Sequence, residues 1–250
     1  MYIAFYIIAY ICHLVSFSNY VRGRDARGYR FLLAGLGAQT ATLVARGFLI
    51  GYAPLYGLYD FLFFTCWAAV GLAALTGLAK IARRWTPLFA LAVIGILVFL
   101  NPGVRELPET FRTVFFPLHV GAVGTAYGAF LISFIAAALV LRQGGGSATT
   151  LNDDPARVMF RAIVIGQVLL TLGILLGAFW AKGAWGRYWS WDPKETAALG
   201  SWLIYTFWLA AWRGLKDKRR LSAGLAILGF LTILFTWFGV RFIGESLHSY

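Results

Sequence analysis

Charged side chains are scarce in this chain. Asp, Glu, Lys and Arg make up 13% of its 250 residues, against 60% hydrophobic. A soluble domain carries about twice that charged share, so the scarcity excludes an ordinary soluble fold and points to an integral membrane protein. Negative charge is rarest: ten acidic residues face 22 Lys and Arg, for a formal charge of +12. Such an excess could serve a nucleic acid. Here the basic residues fall in short loops between apolar runs, which is a topology signal, and no nucleic-acid partner is read from it. Only two cysteines occur, Cys12 and Cys66, both inside apolar runs. They read as buried thiols, not as a disulfide or redox pair. No basic n-region precedes the first apolar run and no small-residue cleavage site follows it, so no cleavable signal peptide is expected. The runs are continuous, with no alternation of polar and apolar residues, which favours helices over a membrane barrel. No internal repeat is visible.

What the chain does have is long apolar runs. A helix needs about 20 apolar residues to cross the hydrocarbon layer. Eight runs meet or approach that length: 2–20, 31–50, 60–80, 86–100, 114–141, 158–181, 196–212 and 221–243, the fourth and seventh being short. The expected fold is an all-α integral membrane protein of about eight transmembrane helices, one polytopic domain over 1–250. Arg22, Arg24, Arg27 and Arg30 follow the first run, and Lys80, Arg83 and Arg84 the third. Arg142, Arg157 and Arg161 bracket the 143–157 link (GGGSATTLNDDPA), a flexible hinge by composition. Arg213, Lys216, Lys218, Arg219 and Arg220 follow the seventh run. These regions hold most of the Lys and Arg and belong on the cytoplasmic side. Both termini and the loops near 51–59, 101–113 and 182–195 are then expected outside.

That topology places chemistry on one face. Three tryptophans, Trp185, Trp189 and Trp191, crowd the segment W-G-R-Y-W-S-W-D-P-K-E at 185–195. His119 lies near the outer start of the fifth run and His248 just past the outer end of the eighth. Two neutral imidazoles on opposite sides of a planar macrocycle are a natural axial pair for haem iron, and Trp faces can cover a porphyrin. The plainer alternative is two solvated interfacial histidines beside a Trp anchor in the headgroup layer. Composition leaves both open. Propionates would need cations, and Arg187, Lys182, Arg105, Arg112 and Arg241 are the outer-side candidates. Asp192, Pro193 and Glu195 stand at the N-cap, N1 and N3 positions of the seventh helix, a capping box more structural than catalytic. Gly121, Gly124 and Gly128 space the fifth run for close helix packing, and Tyr127 lies about two turns deeper than His119 on roughly the same side.

These residues also carry a resemblance. The stretch W-G-R-Y-W-S-W-D-P-K-E-T at 185–196 resembles the WWD signature of the haem-handling proteins of cytochrome c maturation. It is most similar to the CcsA (ResC) branch of the system II pathway. The C-terminal Ser246-Leu247-His248-Ser249-Tyr250 and the stretch from Leu118-His119-Val120 to Tyr127 resemble the same branch. The likeness covers 114–250 well, as a cytochrome c assembly core with an external haem-platform loop at 182–195, and the first 110 residues by hydropathy only. It implies haem b with His119 and His248 as axial ligands. Trp185, Gly186, Trp189, Trp191 and Asp192 would form the platform, and Arg187, Lys182 and Arg241 would be possible propionate contacts. It further implies a partner of the CcsB (ResB) type, an apocytochrome c whose C-x-x-C-H thiols receive the haem, and a thioredoxin-like thiol reductant. The location implied is the bacterial cytoplasmic (inner) membrane, ahead of a thylakoid membrane.

The family usually carries a histidine near the inner end of the helix after the WWD loop, a position that falls at Ala210 here. In the family that histidine is tied to haem entry from the cytoplasmic side, and this chain departs from the pattern there. His13, within the first run, is either a substitute ligand or, as we expect, a buried histidine hydrogen-bonded to another helix. Two other functions fit the scaffold: a haem exporter or carrier similar to CcmC, and a HemX-like regulatory membrane protein.

Overall fold

In the computed structural model the described residues are 2–76, 80–100, 103–143, 154–215 and 218–242. Among them the regular elements are helical and no strand occurs. The eight helices are α1 (Tyr2–Val21), α2 (Asp25–Ile50), α3 (Leu58–Leu75), α4 (Lys80–Leu97), α5 (Phe115–Arg142), α6 (Pro155–Trp185), α7 (Pro193–Leu215) and α8 (Arg219–Leu234). Six of them, α1, α2, α3, α5, α6 and α8 with its extension, are long and apolar enough to cross a membrane. The protein is an all-α membrane protein. The two that fall short, α4 and α7, correspond to the short fourth and seventh runs. Both carry charge within their first turns, from Lys80, Arg83 and Arg84 in one and Lys194 and Glu195 in the other.

The chain forms two compact units, Met1–Glu109 and Thr110–Tyr250. In the first, α1 packs on α2 and α4, and α3 packs on α2 and α4, closing a four-helix ring. Glycines on α2 let α1 approach: a Cβ on Gly28 would lie 2.9 Å from the Tyr20 ring, and one on Gly35 would lie 2.7 Å from His13. Arg46 of α2 and Asp60 of α3, both nearly inaccessible, form a two-pronged ion pair, with Arg46 Nη2 also donating to the Gly103 carbonyl at 3.3 Å. His13 is fully buried and its Nε2 lies 3.1 Å from Oε1 of Gln39 on α2. Gln39 Nε2 in turn donates to Cys66 Sγ at 3.5 Å. The expected interhelical partner of His13 is therefore Gln39. Both cysteines are free thiols; Cys66 is buried and Cys12 half-buried.

In the second unit α5 packs on α6 and α8, and α7 packs on α6 and α8. The α5–α6 seam is built on the glycine face of α6. A Cβ on Gly166 would meet the Phe130 ring at 2.7 Å, and one on Gly173 would meet Val123 at 2.6 Å. Without a hydrophobic driving force between helices in lipid, such close approach and its van der Waals contacts hold the seam. Phe130 then stacks on the buried Tyr205 of α7 with centroids 3.9 Å apart, and Gly229 of α8 leaves room on the other side. At the far end, Asp154 caps α6 by accepting from Ala156 N at 3.1 Å and also pairs with Arg219 at the start of α8. The 144–153 part of the expected hinge lies outside the described residues.

Candidate functional site

In the second unit the start of α5 meets the end of α6, while the π-helical turn Phe235–Gly239 that extends α8 packs on α5 at Tyr127 and on α7 at Ser201. His119 sits in the second turn of α5, part-buried against α6. Its Nδ1 lies 2.7 Å from the carbonyl oxygen of Gly173. A carbonyl only accepts, so Nδ1 carries the proton and donates. Nε2 is then the nitrogen with the free lone pair, and it makes no hydrogen bond among the described residues. One turn further along α6, Gly177 leaves the space the ring occupies, because a Cβ there would lie 2.7 Å from both Nδ1 and Cε1 of His119.

Trp180 completes the wall. Its ring runs nearly parallel to the imidazole, with centroids 6.2 Å and planes 12° apart. Phe111, Phe116 and Trp185 pack around it at 5.3, 5.6 and 4.9 Å, and its Nε1 donates to the Thr110 carbonyl at 2.8 Å. The result is an imidazole with one defined open nitrogen beside a fixed aromatic cluster. Among the described residues no group of three or more His, Cys, Asp or Glu could hold a metal ion. A lone imidazole suits an ion that brings most of its coordination with it, as haem iron does.

The loop that follows is shorter than expected, because α6 continues through Trp185. Nothing breaks the helix until Gly186, which takes the left-handed conformation at φ +77° and donates its N–H to the Lys182 carbonyl. Trp185 is therefore a helix residue facing Trp180. Trp189 and Trp191 pack on each other edge to face at 5.8 Å, and among the described residues His119 pairs its ring with Trp180 instead. Trp191 is 69% exposed at φ +58°, a conformation a bulky side chain adopts only under constraint. That constraint comes from the turn after it. Asp192, buried, accepts from Lys194 N at 2.8 Å, while Glu195 Oε2 accepts from Asp192 N at 3.2 Å and Ser190 N at 2.8 Å. The expected capping box is present, with Ser190 drawn in as a third partner.

The chain resembles known proteins over most of its length. The family model described as cytochrome C assembly protein matches residues 55–248. The cytochrome c biogenesis protein CcsA of Synechococcus sp. (strain CC9311) is 31% identical, the match covering 85% of this chain and 84% of that one. CcsA of Synechococcus elongatus (strain ATCC 33912 / PCC 7942 / FACHB-805) is also 31% identical, over 94% of this chain and 90% of the other. The chain belongs to the CcsA family of cytochrome c assembly proteins. Its fold is similar to a solved structure, the cytochrome c haem lyase CcmF, with a TM-score of 0.62 at 17% identity. That likeness covers 95% of this chain and spans 45% of the length of the other.

Among the residues that a CcsA-like reading singles out, the structure brings His119 and Trp185 together through Trp180. His248 and the rest of the Ser246–Tyr250 motif lie outside the described residues, as does the Arg241 side chain. Lys182 already bonds the Gly186 carbonyl at 2.8 Å and lies over the Tyr188 ring. Arg187 is exposed and makes no hydrogen bond or ion pair among the described residues. Ala210 is exposed on α7. His13 is closed in by Gly35 and Gln39 with no accessible surface, so no macrocycle reaches it. Trp180, Gly173 and Gly177 were not singled out by the sequence reading. The signal was there: 173, 177 and 180 follow the i, i+4, i+7 spacing of one helix face.

Proposed function

We propose that this protein is the CcsA-like subunit of a cytochrome c synthase, which presents reduced haem b at the outer face of the bacterial cytoplasmic membrane. The observation that carries the reading is His119, held by the Gly173 carbonyl with Nε2 unpaired among the described residues and walled by Trp180. Relatives named as cytochrome c biogenesis proteins support the same class.

His248 is the second axial ligand. Support comes from the register of α8 and its extension on α5. Phe134 packs on Phe230 at 4.9 Å, and Tyr127 packs on Trp237 at 6.4 Å. Two turns of α5 toward His119 are thus matched by two turns of α8 and its extension, so their described part runs toward the His119 end of α5. Trp189, Trp191 and Trp185 supply the aromatic platform. Arg187 is the propionate contact, since Lys182 has partners of its own.

Haem supplies two vinyl groups for the reaction. Each thiol of the apocytochrome C-x-x-C-H motif adds across one of them: a sulfur–carbon bond forms at one vinyl carbon and the thiol hydrogen ends on the other, with no net redox change. This chain contributes orientation and exclusion of water rather than an acid–base pair. A CcsB (ResB)-type membrane partner completes the synthase, and a thioredoxin-like protein keeps the apocytochrome thiols reduced.

The test is reconstitution in cells lacking their own maturation proteins, with a ResB-type partner and an apocytochrome c. Haem that stays on the cytochrome through a denaturing gel is the expected result, lost with His119→Ala. Equal attachment by the His119→Ala/His248→Ala double variant would rule the proposal out.

A further inference from the structure

We propose that Gly177, together with the Gly173 carbonyl, is a seat that fixes the tautomer of His119, with the proton on Nδ1 and the lone pair on Nε2. The proposal rests on the reading of His119 as a haem ligand and names the residues of this chain that position it. Gly177 is thus a positioning residue, acting through His119.

Three observations converge. The 2.7 Å contact from Nδ1 to the Gly173 carbonyl sets which nitrogen holds the proton. The missing side chain at Gly177 is what lets the ring reach that carbonyl, since a Cβ would lie 2.7 Å from Nδ1 itself. The nearly parallel Trp180 ring, anchored through its own Nε1, limits the plane the imidazole can adopt. A histidine ligand that donates its other N–H to a carbonyl is both oriented and made more basic.

His13 supplies an internal contrast. It also packs on a glycine, with a Gly35 Cβ 2.7 Å from its Cε1 and 2.9 Å from its Nδ1. Yet its Nε2 makes the hydrogen bond, to Gln39, and its Nδ1 is buried without a partner among the described residues. Packing on a glycine does not by itself choose the tautomer; the carbonyl does. The three glycines of the α6 seam also divide their work. Gly166 and Gly173 face Phe130 and Val123, whereas the three atoms nearest a Gly177 Cβ all belong to His119. A change at Gly177 therefore acts first on the imidazole, away from the Phe130 and Val123 contacts of the α5–α6 seam.

The experiment has two arms. Nitrogen-15 NMR of the haem-free protein, with histidines labelled and His119 assigned by its loss in His119→Ala, reads the tautomer directly. Absorption spectra of haem-loaded wild type, Gly177→Ala and Gly183→Ala read the ligation. Gly183 is the control, on the same helix with nothing within 4 Å of its Cβ position. Wild type is expected to carry the proton on Nδ1. Gly177→Ala is expected to lose that preference, to retain haem about 10- to 100-fold less tightly, and to regain its low-spin spectrum when free imidazole is added. Gly183→Ala is expected to match wild type. A proton on Nε2 in wild type, or a Gly177→Ala protein with the wild-type tautomer and spectrum, overturns the seat. If wild type shows the Nδ1–H tautomer but takes up no haem, the seat stands and the haem reading falls.

Discussion

The indole of Trp180 and the imidazole of His119 lie nearly parallel, their planes 12° apart, although they come from different helices. Trp180 is 2% exposed and its Nε1 donates to the Thr110 carbonyl. Trp180→Phe keeps an aromatic wall and loses that hydrogen bond, which is worth about 1 kcal/mol net. A slightly lowered thermal transition with haem retained is expected. Trp180→Ala removes a large buried ring, a loss of about 3–5 kcal/mol in well-packed cores. It is expected to lose haem as well. An alanine variant with unchanged stability and spectrum would show that Trp180 is no part of the wall.

Asp192 and Glu195 cap α7 and hold the loop that carries Trp189 and Trp191. Asn caps as well as Asp, so Asp192→Asn is expected to be silent, while Asp192→Ala costs about 1 kcal/mol. Glu195→Ala frees the N–H groups of both Ser190 and Asp192 and is expected to make the loop more sensitive to protease than Glu195→Gln does. If Asp192→Asn abolished haem attachment at unchanged stability, the carboxylate would have a chemical role beyond capping.

Much of this was legible in the sequence, for identifiable reasons. Apolar run length gave the helices, because in lipid each backbone group must be satisfied within its own segment. Asp192-Pro193-Lys194-Glu195 announced its cap through residue types that have few other uses at that spacing. The end of α6 was placed too early because Lys182 reads as a loop residue, yet its charge suits a helix C-terminus and only Gly186 breaks the helix. The seat of His119 stayed hidden for another reason. It depends on a backbone carbonyl and on an absent Cβ, neither of which has a side-chain signature. The glycines noticed were those of α5, whereas the contacts that bring the helices together use Gly166, Gly173 and Gly177 of α6.

Arg46 and Asp60 tie α2 to α3 inside the first unit. Removing one partner strands the other charge, a loss of about 3–5 kcal/mol. Arg46→Ala and Asp60→Asn are each expected to cut accumulation of folded protein in the membrane, measured by detergent-solubilised monodisperse yield. The apolar double variant Arg46→Met/Asp60→Leu is expected to recover most of it. Wild-type yield from either single variant would mean that the pair carries no net stability.

In the proposed reading Arg187, which makes no hydrogen bond or ion pair among the described residues, meets a propionate, while Lys182 is committed to the Gly186 carbonyl and the Tyr188 ring. Arg187→Ala is therefore expected to weaken haem retention more than Lys182→Ala, by the loss of a charge-assisted contact to a propionate. Competition against an apo-haemoprotein of known affinity measures both. The reverse order would place the propionates nearer the end of α6.

The central claim is that His119 and His248 hold haem iron from its two sides. The most direct measurement is the reduced absorption spectrum of the purified protein, expressed with its ResB-type partner, beside His119→Ala, His248→Ala and His13→Ala. A low-spin bis-imidazole b-type spectrum is expected in wild type, weakened or turned high-spin by either of the first two changes and untouched by the third. A wild type without haem, or the same spectrum in both His119→Ala and His248→Ala, would contradict it.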